Sequence, residues 1–324
     1  MKPIIPPVDR EALKAELNPG TLLRTTNRAG NELYIVGPEA VNVIREIGRL
    51  REIAFRADGG GTGEELDIDQ FDTNPAYGYS QLVLWDPQAQ EIIGGYRFCI
   101  CENAVFRADG QPILTSSHMF SFSKKFIKEY LPHTLELGRS FVSVEYQSSK
   151  AGAKSLYALD NLFDGIAAIG ILYKKQIKYF FGKATIYREY PQQAREMIMV
   201  FMNKYFGKKR RLIKIRKQVK VENPKKYSRL FKGLNYKEGY RVLKNEISQM
   251  GVFVPPLVNT YMNLSPTMIY FGTGINDEFG DVYDSGILVS FEEMYPEKAK
   301  RHSESFLEQG RLEIRKLMGR FKRK

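Results

Sequence analysis

Two adjoining stretches decide the fold: Leu135-Glu136-Leu137-Gly138-Arg139-Ser140-Phe141-Val142-Ser143-Val144, then Gln147-Ser148-Ser149-Lys150-Ala151-Gly152-Ala153-Lys154. The first alternates apolar and polar side chains with a period of two and reads as a strand. The second opens a helix that runs to about Tyr173, with Leu156, Leu159, Leu162, Phe163, Ile166 and Ile169 on its buried stripe. A loop at a helix start presents unpaired backbone N–H groups and the positive end of the helix dipole, which suit a pyrophosphate. Gln147, Lys150, Gly152 and Lys154 are the candidate residues of this loop. Gly152 admits close backbone approach, and the two lysines add charge.

Outward from this unit, residues 32–36 read as a strand and 39–56 as an amphipathic helix, followed by a glycine loop at 59–63. Residues 82–85 and 92–101 read as a hairpin about Asp86-Pro87, and 123–130 as a short helix stopped by Pro132. Downstream come a strand at 179–187, a helix at 192–205 and two closing strands at 268–271 and 286–290. The expected organisation is an N-terminal surface arm (1–31), an α/β core (32–207), a basic insertion (208–250), the closing strands (251–310) and a basic tail (311–324).

Charge is distributed unevenly over these segments. The 324 residues carry a net charge of +12. Between Lys208 and Glu246 there are 15 lysines and arginines against three acids, and 311–324 has seven basic residues and one acid. The rest of the chain is mildly acidic. Such segments attract a polyanion: an anionic membrane surface, an acidic protein or nucleic acid. Tyr227, Leu230, Phe231 and Leu234 recur at helical spacing among Lys225, Lys226, Arg229 and Lys232, the pattern of a basic amphipathic helix that lies on anionic lipid or receives an acidic partner.

With 43% hydrophobic and 27% charged residues, the chain is neither disordered nor collagen-like. Cys99 and Cys101 are separated by the single residue Ile100, a spacing that excludes a disulfide scaffold and suits a reducing cytosol. The start, Met1-Lys2-Pro3-Ile4-Ile5-Pro6-Pro7, is too polar for a signal peptide, and no apolar run approaches the length of a membrane span. The expected localisation is therefore cytoplasmic and at most peripheral on the membrane. No Gly-x-Ser-x-Gly elbow and no metal-ligand spacing occurs.

The order β-α-β-β-α-β-α-β-α-β-β resembles that of the GNAT acyltransferase fold, a mixed central sheet with helices on both faces, here with a basic insertion before its last two strands. The charged residues carry a closer likeness. Arg51 and Phe55 are four apart on the first helix, Asp69 and Asp72 lie in Asp67-Ile68-Asp69-Gln70-Phe71-Asp72, Arg97 follows Gly94-Gly95-Tyr96, and Glu136 and Arg139 bracket Leu137-Gly138. This ordered set resembles the acyl-homoserine-lactone synthases, with Gly138 in place of that family's serine. Val254-Pro255-Pro256-Leu257, Asp277-Glu278-Phe279 and Tyr283-Asp284-Ser285-Gly286 resemble the hemolysin-like acyltransferases, among them the ornithine-lipid and glycine-lipid N-acyltransferases.

The resemblance implies transfer of a long acyl chain, plain or 3-hydroxylated, from acyl carrier protein (or acyl-CoA) to the amine of an amino acid, glycine or ornithine, in aminolipid synthesis. No bound cofactor and no metal is expected. An amine must lose a proton before it attacks a thioester, so a carboxylate base is required. Glu136 is the first candidate, with Asp69 and Asp72 as alternatives that would otherwise hold the substrate ammonium. Arg97 and Arg139 suit the amino-acid carboxylate as planar forks. Arg51, Phe55, Ser140, Phe141 and Val142 complete the expected substrate site, and backbone N–H groups of 141–144 are candidates for the oxyanion. The competing readings are an acetyl-CoA-dependent small-molecule N-acetyltransferase, a non-enzymatic nucleic-acid-binding protein, and a purely structural ion-pair network. No nucleic-acid-binding signature supports the second.

Overall fold

A computed structural model of the chain describes residues 1–147 and 153–309. Its helices are α1 (Arg10–Glu16), α2 (Val41–Ala57), α3 (Gln70–Thr73), α4 (Lys124–Glu129), α5 (Ala153–Leu172), α6 (Gln192–Phe206), α7 (Pro224–Leu230), α8 (Tyr236–Ser248), α9 (Pro256–Met262) and α10 (Pro296–Gln309). Its strands are β1 (Leu22–Thr25), β2 (Glu32–Val36), β3 (Tyr79–Asp86), β4 (Glu91–Ile100), β5 (Phe120–Phe122), β6 (Thr134–Val142), β7 (Tyr179–Ile186), β8 (Ile213–Ile215), β9 (Ile269–Asn276) and β10 (Val282–Ser290). The chain divides into two compact units, the first formed by Met1–Val105, Pro132–Lys178 and the chain from Tyr295, the second by Phe106–Leu131 and Tyr179–Met294.

In the first unit the strands follow the order β1-β2-β3-β4-β6, and each pairing is antiparallel. Gln81 faces α2 and α3 through its bond to Asp72. The neighbouring Leu82 points the other way, because side chains alternate along a strand. There a Cβ on Gly165 of α5 would meet the Leu82 methyls at 2.7 Å. Helices thus cover both faces of this sheet. Segment 1–31 is not a surface arm: it supplies α1 and β1 and buries Leu13, Leu17 and Leu23. Its Glu16 carboxylate also accepts from the Asn42 and Val43 amides, at 3.1 and 2.8 Å, and so caps α2, whose own N-cap residue Ala40 has no side-chain acceptor.

The second unit has the antiparallel order β7-β10-β9 and a separate β5-β8 ribbon. Phe120, Phe122, Phe126 and Phe181 stack edge-on or face-on at its centre. The basic segment is built into this unit. Ile213 and Ile215 are buried in β8, and the Val219 amide donates to the Thr273 carbonyl at 2.9 Å along the edge of β9. The amphipathic helix expected around 225–234 is the short α7, and its apolar residues Tyr227 and Phe231 are buried inside the protein, as are Leu243 and Ile247 of α8. Those buried residues are therefore not available to lipid, whereas Lys225, Lys226, Arg229 and Lys232 are exposed. Among the described residues no helix is long and apolar enough to cross a membrane.

Candidate active site

The site is assembled on the face of the first unit's sheet that carries α2 and α3. Gly48 of α2 permits the chain at 67–68 to cross the helix closely, since a Cβ there would lie 2.5 Å from Ile68, and the Asp67 amide donates to the Gly48 carbonyl at 3.0 Å. Three residues on, Arg51 meets this crossing. Its two terminal nitrogens fork onto Asp72 at 3.2 and 2.7 Å, its Nε lies 3.1 Å from Asp67 Oδ2, and Nη2 donates to the Asp67 carbonyl. Arg51, Asp67 and Asp72 each have side chains only 1% exposed.

Asp69 and Asp72 form a reciprocal capping box on α3: Asp69 accepts from the Phe71 amide at 2.8 Å and Asp72 from the Asp69 amide at 3.0 Å. Arg97 of β4 joins them, its Nη1 2.7 Å from Asp69 and 2.9 Å from Asp72, with the Phe71 and Tyr79 rings on its guanidinium. Gln81 donates to Asp72 at 2.8 Å. Burial alone would raise the Asp72 pKa, but the Arg51 and Arg97 charges outweigh it and hold this carboxyl well below the usual range. Burial likewise works against the charged form of Arg97, and Asp72 and Asp69 more than compensate.

Arg139 reaches the cluster through a β-bulge. Between the pairs Gly95↔Phe141 and Arg97↔Gly138, β6 has one residue more than β4, and Arg139 takes φ +48°. Simple alternation would turn Arg139 away from Glu136 and Gly138. The bulge instead re-aims it, and its Nε stands 3.2 Å from Asp67 Oδ2. Gly94 and Gly95 make room for this distortion, because Cβ atoms there would fall 2.5 Å from the Phe141 carbonyl and 3.1 Å from the Phe141 ring. Burial lowers the Arg139 pKa, with Asp67 opposing. The cluster thus balances three arginines against three aspartates. Its open end is Asp69, 33% exposed, and Arg139, 19% exposed.

Glu136 lies in the next row of the same sheet face, in the register Tyr79↔Cys99↔Glu136. It is buried and accepts from the Tyr79 hydroxyl. Burial first, then the adjacent carboxylate, push that phenol well above its ordinary pKa. Cys99 and Cys101 are buried free thiols beside it. Asp67, Tyr79 and Gln81 are the partners that the sequence reading missed. Asp67 was visible as the first acid of Asp-x-Asp-x-x-Asp, but Tyr79 and Gln81 are identified only by strand register.

The other expected residues fall as follows. Phe55 and Phe141 are buried core, and Ser140 and Val142 are partly exposed at the bulge. The Ser143 amide, one of the candidate oxyanion donors, is committed to the Ile93 carbonyl at 2.8 Å and is not available for that role. Gln147 bonds the Val142 carbonyl at 2.6 Å. Lys150 and Gly152 lie outside the described residues, as does the Lys154 side chain. In the second unit, buried Asp284 accepts from Thr185 at 2.6 Å and Asn276 at 2.8 Å and pairs with Lys183 at 3.1 Å. His118 extends this chain to Asn276 at 3.1 Å.

An arginine–aspartate cluster whose open end offers one carboxylate and one guanidinium can hold a zwitterion, the ammonium on Asp69 and the carboxylate on Arg139. The acetyltransferase (GNAT) domain family matches residues 50–156, and the GNAT fold expected from the element order is the fold observed. Glycine N(alpha)-acyltransferase of Phocaeicola vulgatus is 51% identical over 313 residues, 95% of each chain. That of Bacteroides thetaiotaomicron is 50% identical over 310 residues, 95% of this chain and 91% of its own. Among solved structures, BjaI, a CoA-dependent acyl-homoserine lactone synthase, aligns over 86% of this chain and 90% of its own, at 10% identity and a TM-score of 0.37.

Proposed function

The chain belongs to the glycine N(alpha)-acyltransferase family, and on that premise we propose that it joins a long acyl chain to the amine of glycine. It is an N-acyltransferase acting on an amino acid. The observation that carries the choice of glycine over ornithine is the identity of 51%, over 95% of both chains, with a relative named glycine N(alpha)-acyltransferase.

In this reading Arg139 binds the glycine carboxylate and Asp69 the ammonium. Asp69 takes the first amine proton, because it is the carboxylate of the set that solvent reaches. The free amine attacks the thioester carbonyl. The N–C bond forms, the C–S bond breaks as the tetrahedral intermediate collapses, and the second amine proton neutralises the departing thiolate. Asp72, held ionised by two arginines and almost fully buried, serves as scaffold and not as base. Glu136 acts behind the site, fixing the Tyr79 ring that in turn faces Arg97. Arg51 and Asp67 hold the framework. The loop at Gln147, Lys150, Gly152 and Lys154 serves the phosphate of the donor's pantetheine arm.

The donor in this proposal is acyl carrier protein, an acidic partner. The exposed Lys237, Arg241 and Lys244, spaced four and three along α8, form a cationic stripe suited to it. The other exposed cations of 208–246 favour an anionic membrane surface, where an aminolipid precursor is delivered. The test is mass spectrometry of reactions containing glycine and ornithine with either palmitoyl carrier protein or palmitoyl-CoA. N-palmitoylglycine formed faster from the carrier supports the proposal. Acylornithine as the main product, or equal use of the two donors, refutes the corresponding part.

A further inference from the structure

The second unit contains a groove of about 840 Å³ that none of the charged cluster lines. This lies within the range of roughly 300–1,000 Å³ typical of small-molecule sites. Met199 and Val200 of α6 and Tyr270 and Phe271 of β9 form an apolar floor. Gly272 shapes it. Its φ of +123° sits where the β9–β10 register shifts, and a Cβ there would lie 2.9 Å from Ile215. Along the rim stand Lys220, Arg229 and Lys232, all exposed, with the Gln218 amide beside them. Among the described residues none of these three cations has an acidic partner. Lys204 also lines the groove, but it is already bonded to the Phe231 carbonyl.

An apolar floor under three unneutralised cations complements one kind of molecule, a single-chain amphiphile with an anionic head. We propose that this groove binds the N-acyl amino acid product, its chain on Met199, Val200, Tyr270 and Phe271, its carboxylate on Arg229 and Lys232, and its amide beside Gln218. The choice of an N-acyl head rests on the acyltransferase reading above. Such a site retains a sparingly soluble product and makes the enzyme responsive to its accumulation.

The test uses the full chain and a diazirine-bearing N-palmitoylglycine, with photo-adducts mapped by mass spectrometry. Adducts are expected in peptides spanning 199–204, 218–232 and 270–273, and unlabelled N-palmitoylglycine should displace them. Each methylene added between lauroyl and palmitoyl competitors should improve displacement about four-fold. Arg229→Glu with Lys232→Glu should weaken labelling there on the order of ten-fold, leaving adducts elsewhere unchanged. Adducts only outside these peptides overturn the proposal. So does displacement by N-palmitoylglycine methyl ester as effective as by the acid, which would show the carboxylate is not read. Palmitate displacing as well as N-palmitoylglycine would reassign the groove to free fatty acid. Glycine acylation with labelling unaffected by the charge reversals sinks this inference alone, and groove labelling by a chain that does not acylate glycine sinks the acyltransferase reading alone.

Discussion

Arg51 and Asp72 face each other as a two-pronged pair, Nη1 3.2 Å from Oδ1 and Nη2 2.7 Å from Oδ2, with both side chains 1% exposed. The pair ties the first long helix to the turn that presents Asp69. Removing one partner leaves the other charge buried. Arg51→Met should therefore destabilise the first unit by about 3 kcal/mol or more, measured by urea unfolding.

Asp72 also sets an acid limit on stability. Its folded pKa lies below the unfolded value of about 3.9, so the ionised carboxylate stabilises the fold above that pH, and the contribution is lost as pH falls below about 4 toward the folded pKa. Denaturant midpoints taken across this window should fall steeply for the native chain. Asp72→Asn should start lower and show a shallower slope.

At Arg139 the backbone and the side chain make separable contributions. Its φ of +48° costs a non-glycine residue roughly 1 kcal/mol, so Arg139→Gly, which relieves that strain, should lose less stability than Arg139→Ala, although both remove the guanidinium beside Asp67. Arg139→Gln should raise the KM for glycine on the order of 10-fold to 100-fold with a smaller effect on kcat. Equal losses in kcat and KM would instead indicate a general collapse of the bulge.

Gly94 tests the bulge itself. A Cβ there meets the Phe141 carbonyl at 2.5 Å, a backbone atom that cannot rotate away. Gly94→Ala should cost about 2 kcal/mol and lower activity through displacement of Arg139. Thermal melts and the glycine KM are the readouts.

In the second unit, Lys183→Met leaves the buried Asp284 with only the neutral donors Thr185 and Asn276. The ordinary Asp284 pKa is depressed against burial chiefly by Lys183, so the variant should lose about 2 kcal/mol and lose more of its stability at neutral pH than at acid pH. Calorimetry at the two pH values decides this.

Much of the architecture was legible from local periodicity. The reading of 135–144 as a strand, 39–56 as a helix and 192–205 as a helix corresponds to β6, α2 and α6 with ends shifted by a few residues. Short elements were missed because four to seven residues carry too little period: α1, β1 and α3 gain their stability from tertiary burial. The basic segment was read as one amphipathic face open to solvent, yet Tyr227, Phe231, Leu243 and Ile247 are buried. Sequence pattern identifies an apolar stripe but not what covers it. Within the site, Arg51, Asp69, Asp72, Arg97 and Arg139 were picked out by the resemblance of their ordered set to the acyl-homoserine-lactone synthases, and the structure brings them together. Glu136 was chosen as a direct base, and its burial against Tyr79 emerges only from strand register. The turn of Arg139 onto Asp67 depends on one extra residue in β6, which alternation cannot foresee.

The central claim is that Asp69 and Arg139, the open end of the cluster, hold glycine for acyl transfer. The most direct measurement is N-palmitoylglycine formation from glycine and palmitoyl carrier protein by the native chain, Asp69→Asn and Arg139→Gln, each checked for an unchanged melting transition. The account predicts product from the native chain, a loss of about 100-fold in kcat/KM for Asp69→Asn, and rescue of Arg139→Gln by raised glycine. Native-like rates in both folded variants would contradict it.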